Sequence, residues 1–520
     1  MPRSAPDQTS TGWPPGIPYI IGNEGAERFA FYGIRSFLTP YLASVLYVHH
    51  PVFGADPQAY AKAHFHLFVA AVYALPMIGA VISDRLLGKY RTILGLSIVY
   101  ACGSFLLALA AHSVWGVWVG LGLVAIGSGG IKPCVSAHVG DQFGKRNWFR
   151  LRTIFQAFYF IINFGSFFAY LLIPWIKEVL GVRVAFGIPG VLMVVATVVF
   201  WAGRNVFIHV PPSPGGRLGL LDGASSIAFF LAIGHLFFSR DQPWPVMLAL
   251  SAGFIVAGAL LFRWRQRLAP DDGFLAIVSF AVGAWLRNPR GGFWEPARAR
   301  FGAATVEGPI AVLRITSVFI TVSVFWALFD QKGSSLILQA QTMDLYLWDG
   351  FKVRPEQLQA ANPALVMLLI PFAGKLLYPT SARLGFEPTP LRRMTAGLVL
   401  GALAFAALAL IQADIDRQPP GTVWVGRQLV VYVLITMGEV LVSITGLEFA
   451  YSQAPRRMKS TIMGFWLLAM SLGNVATSLI ARARLPPLTS FWTFAAIGGA
   501  GALLFAVRAR FYKPRDHVQE

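Results

Sequence analysis

Long apolar runs separated by short polar breaks fill most of the chain. A helix needs roughly 20 mostly apolar residues to cross a bilayer. On that measure the pattern predicts spans near 18–47, 65–83, 92–112, 114–138, 153–175 and 184–207. A second set falls near 313–338, 361–381, 394–413, 424–450, 460–481 and 487–508, with spacing that mirrors the first. Between them, 218–239 and 245–264 read as two further spans, placed after Pro211-Pro212-Ser213-Pro214-Gly215-Gly216, a stretch that cannot continue a helix. Residues 274–287 are apolar but too short to span, and they lead into the basic stretch Arg287 to Arg300, which fits an interfacial helix. The expected division is a six-helix bundle over 1–207, a linker with two extra spans and the interfacial helix over 208–312, and a second six-helix bundle over 313–520.

Composition agrees with an all-α polytopic membrane protein. Of 520 residues, 56% are hydrophobic and 13% charged, with mean hydropathy +0.59, so a bilayer is the solvent that suits the chain. The net charge of +19 raises the possibility of a polyanionic partner. Its distribution points elsewhere: basic residues cluster between apolar runs, at Arg85/Lys89/Arg91, Lys145/Arg146/Arg150/Arg152, Arg263/Arg265/Arg267, Arg392/Arg393, Arg456/Arg457/Lys459 and Arg508/Arg510/Lys513. That is a positive-inside pattern, not a nucleic-acid groove, and it places both termini in the cytoplasm. Cys102 and Cys134 lie within apolar stretches, which leaves no disulfide framework or metal-ligand spacing. The segment Met1 to Gly16 lacks a basic start and apolar core, so no cleaved signal is expected.

A weak internal repeat relates the two halves. Gly79-Ala-Val-Ile-Ser-Asp84-Arg85-Leu-Leu-Gly88-Lys89-Tyr-Arg91 follows the second span, and Gly374, Arg383-Leu-Gly385 and Arg392-Arg393 follow the corresponding later one. The first copy resembles the loop signature of the major facilitator superfamily. That resemblance implies 12 core transmembrane helices in two bundles related as parallel repeats, plus the 2 inserted helices.

Charged groups inside these spans carry the chemistry, since each costs at least roughly 2.5 to 3.5 kcal/mol at the centre of an isolated span. Glu24, Glu27, Arg28, Tyr32 and Arg35 recur at helical spacing and share one stripe. Two acids and two bases so placed form either a proton-binding site or a static ion-pair cluster that locks packing. Lys132 follows Gly127-Ser-Gly129-Gly130-Ile, where glycines permit close helix approach, and a carboxylate partner for it is implied. Asp330 stands beside Gln331 and Lys332. Glu439 and Glu448 are nine residues apart, so they face opposite ways; Glu439 is the deeper, and Glu448 is expected to pair near the cytoplasmic end. His66, at the start of the expected second span, reads equally as structural or as a proton carrier. Tyr32, Tyr73, Tyr159 and Trp466 are candidate aromatic walls.

Glu24-Gly-Ala-Glu27-Arg28-Phe29-Ala-Phe31-Tyr32-Gly33-Ile-Arg35 resembles the first-helix signature of proton-coupled oligopeptide transporters, Glu-x-x-Glu-Arg-Phe-x-Tyr-Tyr-Gly-x-Arg. Gly130-Ile-Lys132-Pro133-Cys134-Val-Ser, Phe158-Tyr-Phe-Ile-Ile-Asn163-Phe-Gly165-Ser, Phe325-Trp-Ala-Leu-Phe-Asp330-Gln331, Asn362-Pro363, Gly438-Glu439-Val, and Gly446-Leu-Glu448-Phe-Ala-Tyr451-Ser-Gln453-Ala-Pro resemble the same family, so the agreement spans both halves. Several motifs look closer to the animal di- and tripeptide carriers, with His66 at the position of their proton-coupling histidine, whereas the middle insert resembles bacterial members. Phe31, in place of the signature's first tyrosine, and Lys332, where the animal carriers have glutamine, depart from the pattern.

The resemblance implies a proton-coupled symporter that imports di- and tripeptides and peptide-like compounds by alternating access. It assigns Arg35 and Lys132 to the peptide carboxylate, Glu439, Asn163 and Asn362 to the peptide amino group, and Tyr32, Tyr73 and Trp466 to its side chains. Glu24, Glu27, Arg28, His66 and Asp330 are assigned to proton coupling, with an Arg35–Asp330 pair exchanged during gating. The implied partners are peptide, protons and the lipid bilayer, without nucleic acid, cofactor, metal or obligate protein partner. The implied location is a multi-pass plasma membrane, the inner membrane of a bacterium.

A carrier of the same fold for another solute, such as nitrate or a drug, is the alternative. An enzyme is not expected: the histidines are scattered, and no His-x-x-x-His or cysteine pair supplies a metal or nucleophile. A channel fits poorly with motifs spread over two unlike halves.

Overall fold

The computed structural model describes residues 4–238, 242–453, 455 and 458–512. Arg456, Arg457 and Lys513 of the basic clusters lie outside the described residues, as do the side chains of Arg152, Lys459 and Tyr451. Thirteen helices among the described residues are long and apolar enough to cross a membrane. In chain order with the other helices, they follow α1 (Ile17–Tyr41). The next five are α2 (Pro57–Leu87), α3 (Lys89–Leu109), α4 (Val114–Asp141), α5 (Trp148–Leu180) and α6 (Val182–Asn205). The inserted pair is α7 (Gly216–Phe237) and α8 (Trp244–Leu268), followed by the shorter α9 (Phe274–Arg287) and α10 (Glu295–Phe301). The last six are α11 (Ala303–Ala340), α12 (Pro355–Arg383), α13 (Pro390–Arg417), α14 (Val425–Ala450), α15 (Thr461–Ala481) and α16 (Pro487–Phe511).

Helix α1 is not among the thirteen, because Glu24, Glu27, Arg28 and Arg35 interrupt its apolar composition. At 25 residues it is about 37 Å long, enough to span. Added to the thirteen, it gives the expected fourteen.

Local chemistry sets several helix starts. Asp56 caps α2 by accepting from the Ala59 amide at 3.0 Å, with Pro57 at the first helical position. Ser113 caps α4 through the Gly116 amide at 3.2 Å. Gly88 (φ +82°) turns the chain between α2 and α3, in a conformation that favours glycine.

Two helices start earlier than the apolar runs suggest. Helix α2 begins at Pro57 rather than 65, because Gln58, Lys62 and His64 mask its first two turns. His66 therefore lies about two and a half turns inside the helix, not at its start. Helix α11 begins at Ala303 rather than 313, across Glu307 and Pro309.

Apolar packing separates into two large clusters. One joins buried residues from Ile17 to Phe207, including Phe31, Tyr100, Phe186 and Phe200; the other joins residues from Val312 to Tyr512, including Phe325, Trp326, Phe405 and Trp466. Tyr73 packs against both. Close helix crossings rely on glycine in each half. A Cβ on Gly79 of α2 would lie 2.6 Å from Gly130 Cα of α4, and one on Gly397 of α13 would lie 2.8 Å from the Gly438 carbonyl of α14.

The α7–α8 hairpin docks on the end of α2. Arg85 donates to Asp222 and to Asp271, each at 3.2 Å, and Arg265 donates to Asp222 at 2.7 Å. The backbone reinforces this contact, with the Ser213 amide donating to the Asp84 carbonyl at 2.8 Å. Helix α9 packs instead on α10 and α11 through Ile277, Ala281, Ala297 and Val306.

Candidate functional site

The α1 stripe is folded as a connected cluster. Arg28 Nε donates to Glu24 Oε1 at 2.6 Å and lies 3.4 Å from Glu27 Oε2. The Ser128 hydroxyl of α4 donates to Glu27 Oε1 at 2.5 Å. Glu24 and Glu27 are buried, so the pairing with Arg28 and Ser128 offsets the cost of holding two carboxylates out of water.

Lys132 departs from expectation. No carboxylate lies within salt-bridge distance among the described residues, and the ammonium has no hydrogen-bond partner. It sits 4.3 Å from the Phe31 ring centroid and 4.8 Å from that of Tyr73, held by cation–π attraction. Phe31, the departure from the signature, thus still supplies the ring under this lysine; what it removes is a hydroxyl.

In the second half Asn362 forms a hub. Lys332 Nζ donates to its Oδ1, while its Nδ2 donates to Glu439 Oε2 at 2.7 Å and to the Thr436 hydroxyl at 3.0 Å. Lys332 Nζ also lies 3.4 Å from the Phe329 ring centroid. Glu448 pairs at 3.9 Å with Arg393 at the end of α13, well away from Glu439.

The halves are joined through a second network at α11. Arg35 donates to Asp330 Oδ1 at 2.5 Å, and both side chains are about 1% exposed. Asn474 of α15 donates to the other Asp330 oxygen at 2.7 Å, and its own Oδ1 meets His66 Nδ1 at 2.8 Å. His66 Nε2 meets the Ser334 hydroxyl at 2.9 Å. A continuous chain therefore runs Arg35, Asp330, Asn474, His66, Ser334, crossing between the halves three times.

Helix α1 starts at the membrane face of the N-terminus, so its end and the start of α2 lie at the opposite, far face. Further links gather there. Thr39 donates to the Gly333 carbonyl, and Gln359 to the Ser36 carbonyl, each at 2.8 Å. Lys177 pairs with Glu356 at 2.5 Å, Arg354 with Glu178, and Arg484 donates to Tyr60 at 3.1 Å. The far end is closed, with Arg35 engaged in the closure and Lys132 left unpaired behind it.

Three candidates stand apart from these networks. Asn163 donates to the Tyr159 carbonyl of its own helix at 2.8 Å. Tyr32 packs on Phe31 and Tyr170. Trp466 is 1% exposed, packed edge-on to Phe319 and Trp326 within the core of the second half. Among the described residues no group of three or more His, Cys, Asp or Glu could hold a metal ion.

The family profile described as POT family matches residues 90–218 and 298–486, more than half of the chain. The chain belongs to the POT family. This family member is 32% identical over 419 residues to the Drosophila melanogaster protein described as "Peptide transporter family 1", covering 78% of the chain and 48% of the fly protein. It is 29% identical over 492 residues to the Mus musculus "Solute carrier family 15 member 1", covering 90% of the chain and 61% of the mouse protein. The chain thus spans between about half and three-fifths of the length of these curated relatives. Among solved structures, an auto-inhibited POT family peptide transporter is 37% identical with a TM-score of 0.80, covering 98% of this chain and 99% of that one. A proton dependent oligopeptide (POT) family transporter is 39% identical with a TM-score of 0.72, covering 94% and 100%. The fold of this POT family member is accordingly the major facilitator arrangement of two six-helix bundles with an inserted hairpin.

Sequence reasoning missed Asn474, Ser334 and Ser128. Asn474 offered a signal, as an asparagine in the apolar run of α15; Ser128 and Ser334 offered none, since serine is common in such helices.

Proposed function

We propose that this chain is a proton-coupled symporter of di- and tripeptides and peptide-like compounds, working by alternating access between bundles 1–207 and 313–520. The observation that carries the reading is Lys132, a buried cation without a hydrogen-bond partner at the meeting of the two halves, beside Tyr73. A desolvated cation held only by rings is poised for an anion, and a peptide carboxylate supplies one. Glu439 and Asn362 receive the peptide amino group from the other half, with Asn163 contributing from the first, so a zwitterion draws the halves together. Tyr32, Tyr73 and Trp466 meet peptide side chains as the halves rearrange.

In this reading Arg35 alternates between Asp330, its partner in the closed far end, and the substrate. Glu24, Glu27, Arg28, His66 and Asp330 carry the proton path: protonation of an acid or of His66 weakens its ion pairs or bridge and lets the halves part. The far face is the outside, both termini are cytoplasmic, and the membrane is a bacterial inner membrane. No enzymatic step is involved.

One observation favours a second reading. Lys332 already occupies Asn362 beside Glu439, supplying from within the chain a cation where a peptide ammonium would sit. A solute without an amino group, such as nitrate or an acidic drug, fits that arrangement. Uptake of labelled dialanine into proteoliposomes under an inward proton gradient decides between them. Uptake lost in Lys132→Ala supports the peptide reading; absence of dialanine uptake, with nitrate uptake in its place, overturns it.

A further inference from the structure

Behind the closed far end lies a small cavity with about 10 Å³ of free space, room for a single water centre. Lys62 and His66 of α2, Gln331 and Ser335 of α11, Thr477 of α15 and Ser490 of α16 line it. Lys62 and His66 are four residues apart and share a face of α2, with Lys62 one turn nearer the far surface. The Ser335 hydroxyl is already spent as a donor on Gln331 Oε1 at 2.8 Å, and the Thr477 hydroxyl on the Ala327 carbonyl at 3.0 Å.

The bonds of His66 fix where its proton goes. Asn474 spends its NH2 group on Asp330, so its Oδ1 accepts, and His66 Nδ1 carries the hydrogen of that bond. Nε2 is then the basic nitrogen, accepting from Ser334 while the ring is neutral. Protonation transfers one proton from hydronium to Nε2 and leaves water; nothing is oxidised or reduced.

The charges facing the ring are Arg35 from α1, Asp330 from α11 and Lys62 from α2 itself. Helices α15 and α16 present neutral groups to the ring and the cavity, Asn474, Thr477 and Ser490, while Arg482 and Arg484, just past α15, lie toward the far surface beside His64 and Tyr60. Lys132 of α4 lies about two turns further on, over Tyr73. Arg35 and Asp330 cancel as a pair at 2.5 Å. Lys62 is the cation that shares the cavity wall with His66, tempered by Asp56 at the helix cap.

We propose that Lys62 is a positioning residue that sets, across this one-water cavity, the pH at which His66 accepts a proton from the far side. This rests on the reading of His66 as part of the proton path. A cation one turn away makes the histidine harder to protonate, so that uptake of the proton is confined to an acidic exterior.

The test uses the full chain in proteoliposomes. Gradient-driven dialanine uptake is followed from about pH 5 to about pH 8, beside gradient-free dialanine counterflow. Lys62→Met is expected to move the pH midpoint of driven uptake upward by about one unit and to leave counterflow unchanged, whereas Lys62→Arg keeps the original midpoint. Should Lys62→Met fail to fold, Ser490→Asp places an anion on the cavity wall and is expected to move the midpoint in the same upward direction. An unmoved midpoint in Lys62→Met or Ser490→Asp, or an equal shift in Lys62→Arg, overturns the proposal. A wild-type protein with counterflow but no response to the gradient refutes proton coupling itself and removes this inference with it.

Discussion

Asp330→Asn keeps the shape of the side chain and removes the charge that neutralises Arg35. Both members of the pair are about 1% exposed, so the guanidinium is left buried beside a neutral amide. Stripping one partner from a buried pair costs roughly 3 to 5 kcal/mol. Part of this is recovered, because the amide oxygen still accepts from Arg35, and about 2 to 3 kcal/mol falls on the closed far end. At 1.4 kcal/mol per tenfold, the population in which the far end is open rises by about 30- to 150-fold.

Ser36, fully buried with its carbonyl bound by Gln359, reports that opening. With Cys102 and Cys134 replaced by alanine, the assay follows reaction of Ser36→Cys with a membrane-impermeant thiol reagent. The expected result is faster labelling in Asp330→Asn by that factor, with Arg35→Gln plus Asp330→Asn faster by less than the product of the two single changes, because the pair is coupled. Labelling within about twofold of the parent refutes the assignment of this pair to the closure.

Three further outcomes follow from the same geometry. Asn474→Leu removes the bridge between His66 and Asp330 and leaves both without it, at about 1 to 3 kcal/mol for each group; lower thermal stability in detergent is expected, and unchanged melting contradicts it. Gly79→Ala forces a methyl to within 2.6 Å of Gly130 Cα, an overpacking cost of about 1 to 3 kcal/mol that is read as a lower midpoint of thermal unfolding, while Gly95→Ala, inside a helix with open space around it, does not lower the midpoint. Lys332→Gln frees Asn362 and the Glu439 carboxylate, so affinity for dialanine is expected to rise by about tenfold in isothermal titration; equal or weaker binding shows that Lys332 does not compete for that position.

The helices were legible because hydropathy over 20 residues is a strong signal, and it failed only where polar or charged residues interrupt the apolar runs. Helix α1 is the least apolar of the fourteen because it carries the Glu24 to Arg35 stripe, and α2 began unseen under Lys62 and His64. Which residues form the buried polar networks was legible for the same reason, since charge in a bilayer span is rare. Who pairs with whom was not. Lys132 was expected to find a carboxylate, but the acids of α1 are taken up by Arg28 and Ser128, and rings fill the space instead. Asn474 escaped notice because a single neutral amide barely alters hydropathy, although it ties the second half to His66, 408 residues away in sequence.

The most direct test of the account is whether protons enter with peptide. Proteoliposomes loaded with a pH-sensitive dye and held without a preset pH gradient receive dialanine on the outside. The lumen is expected to acidify on adding dialanine, but not on adding nitrate and not in Glu27→Gln. Dialanine entry with no change in lumenal pH, or acidification driven by nitrate alone, would contradict it.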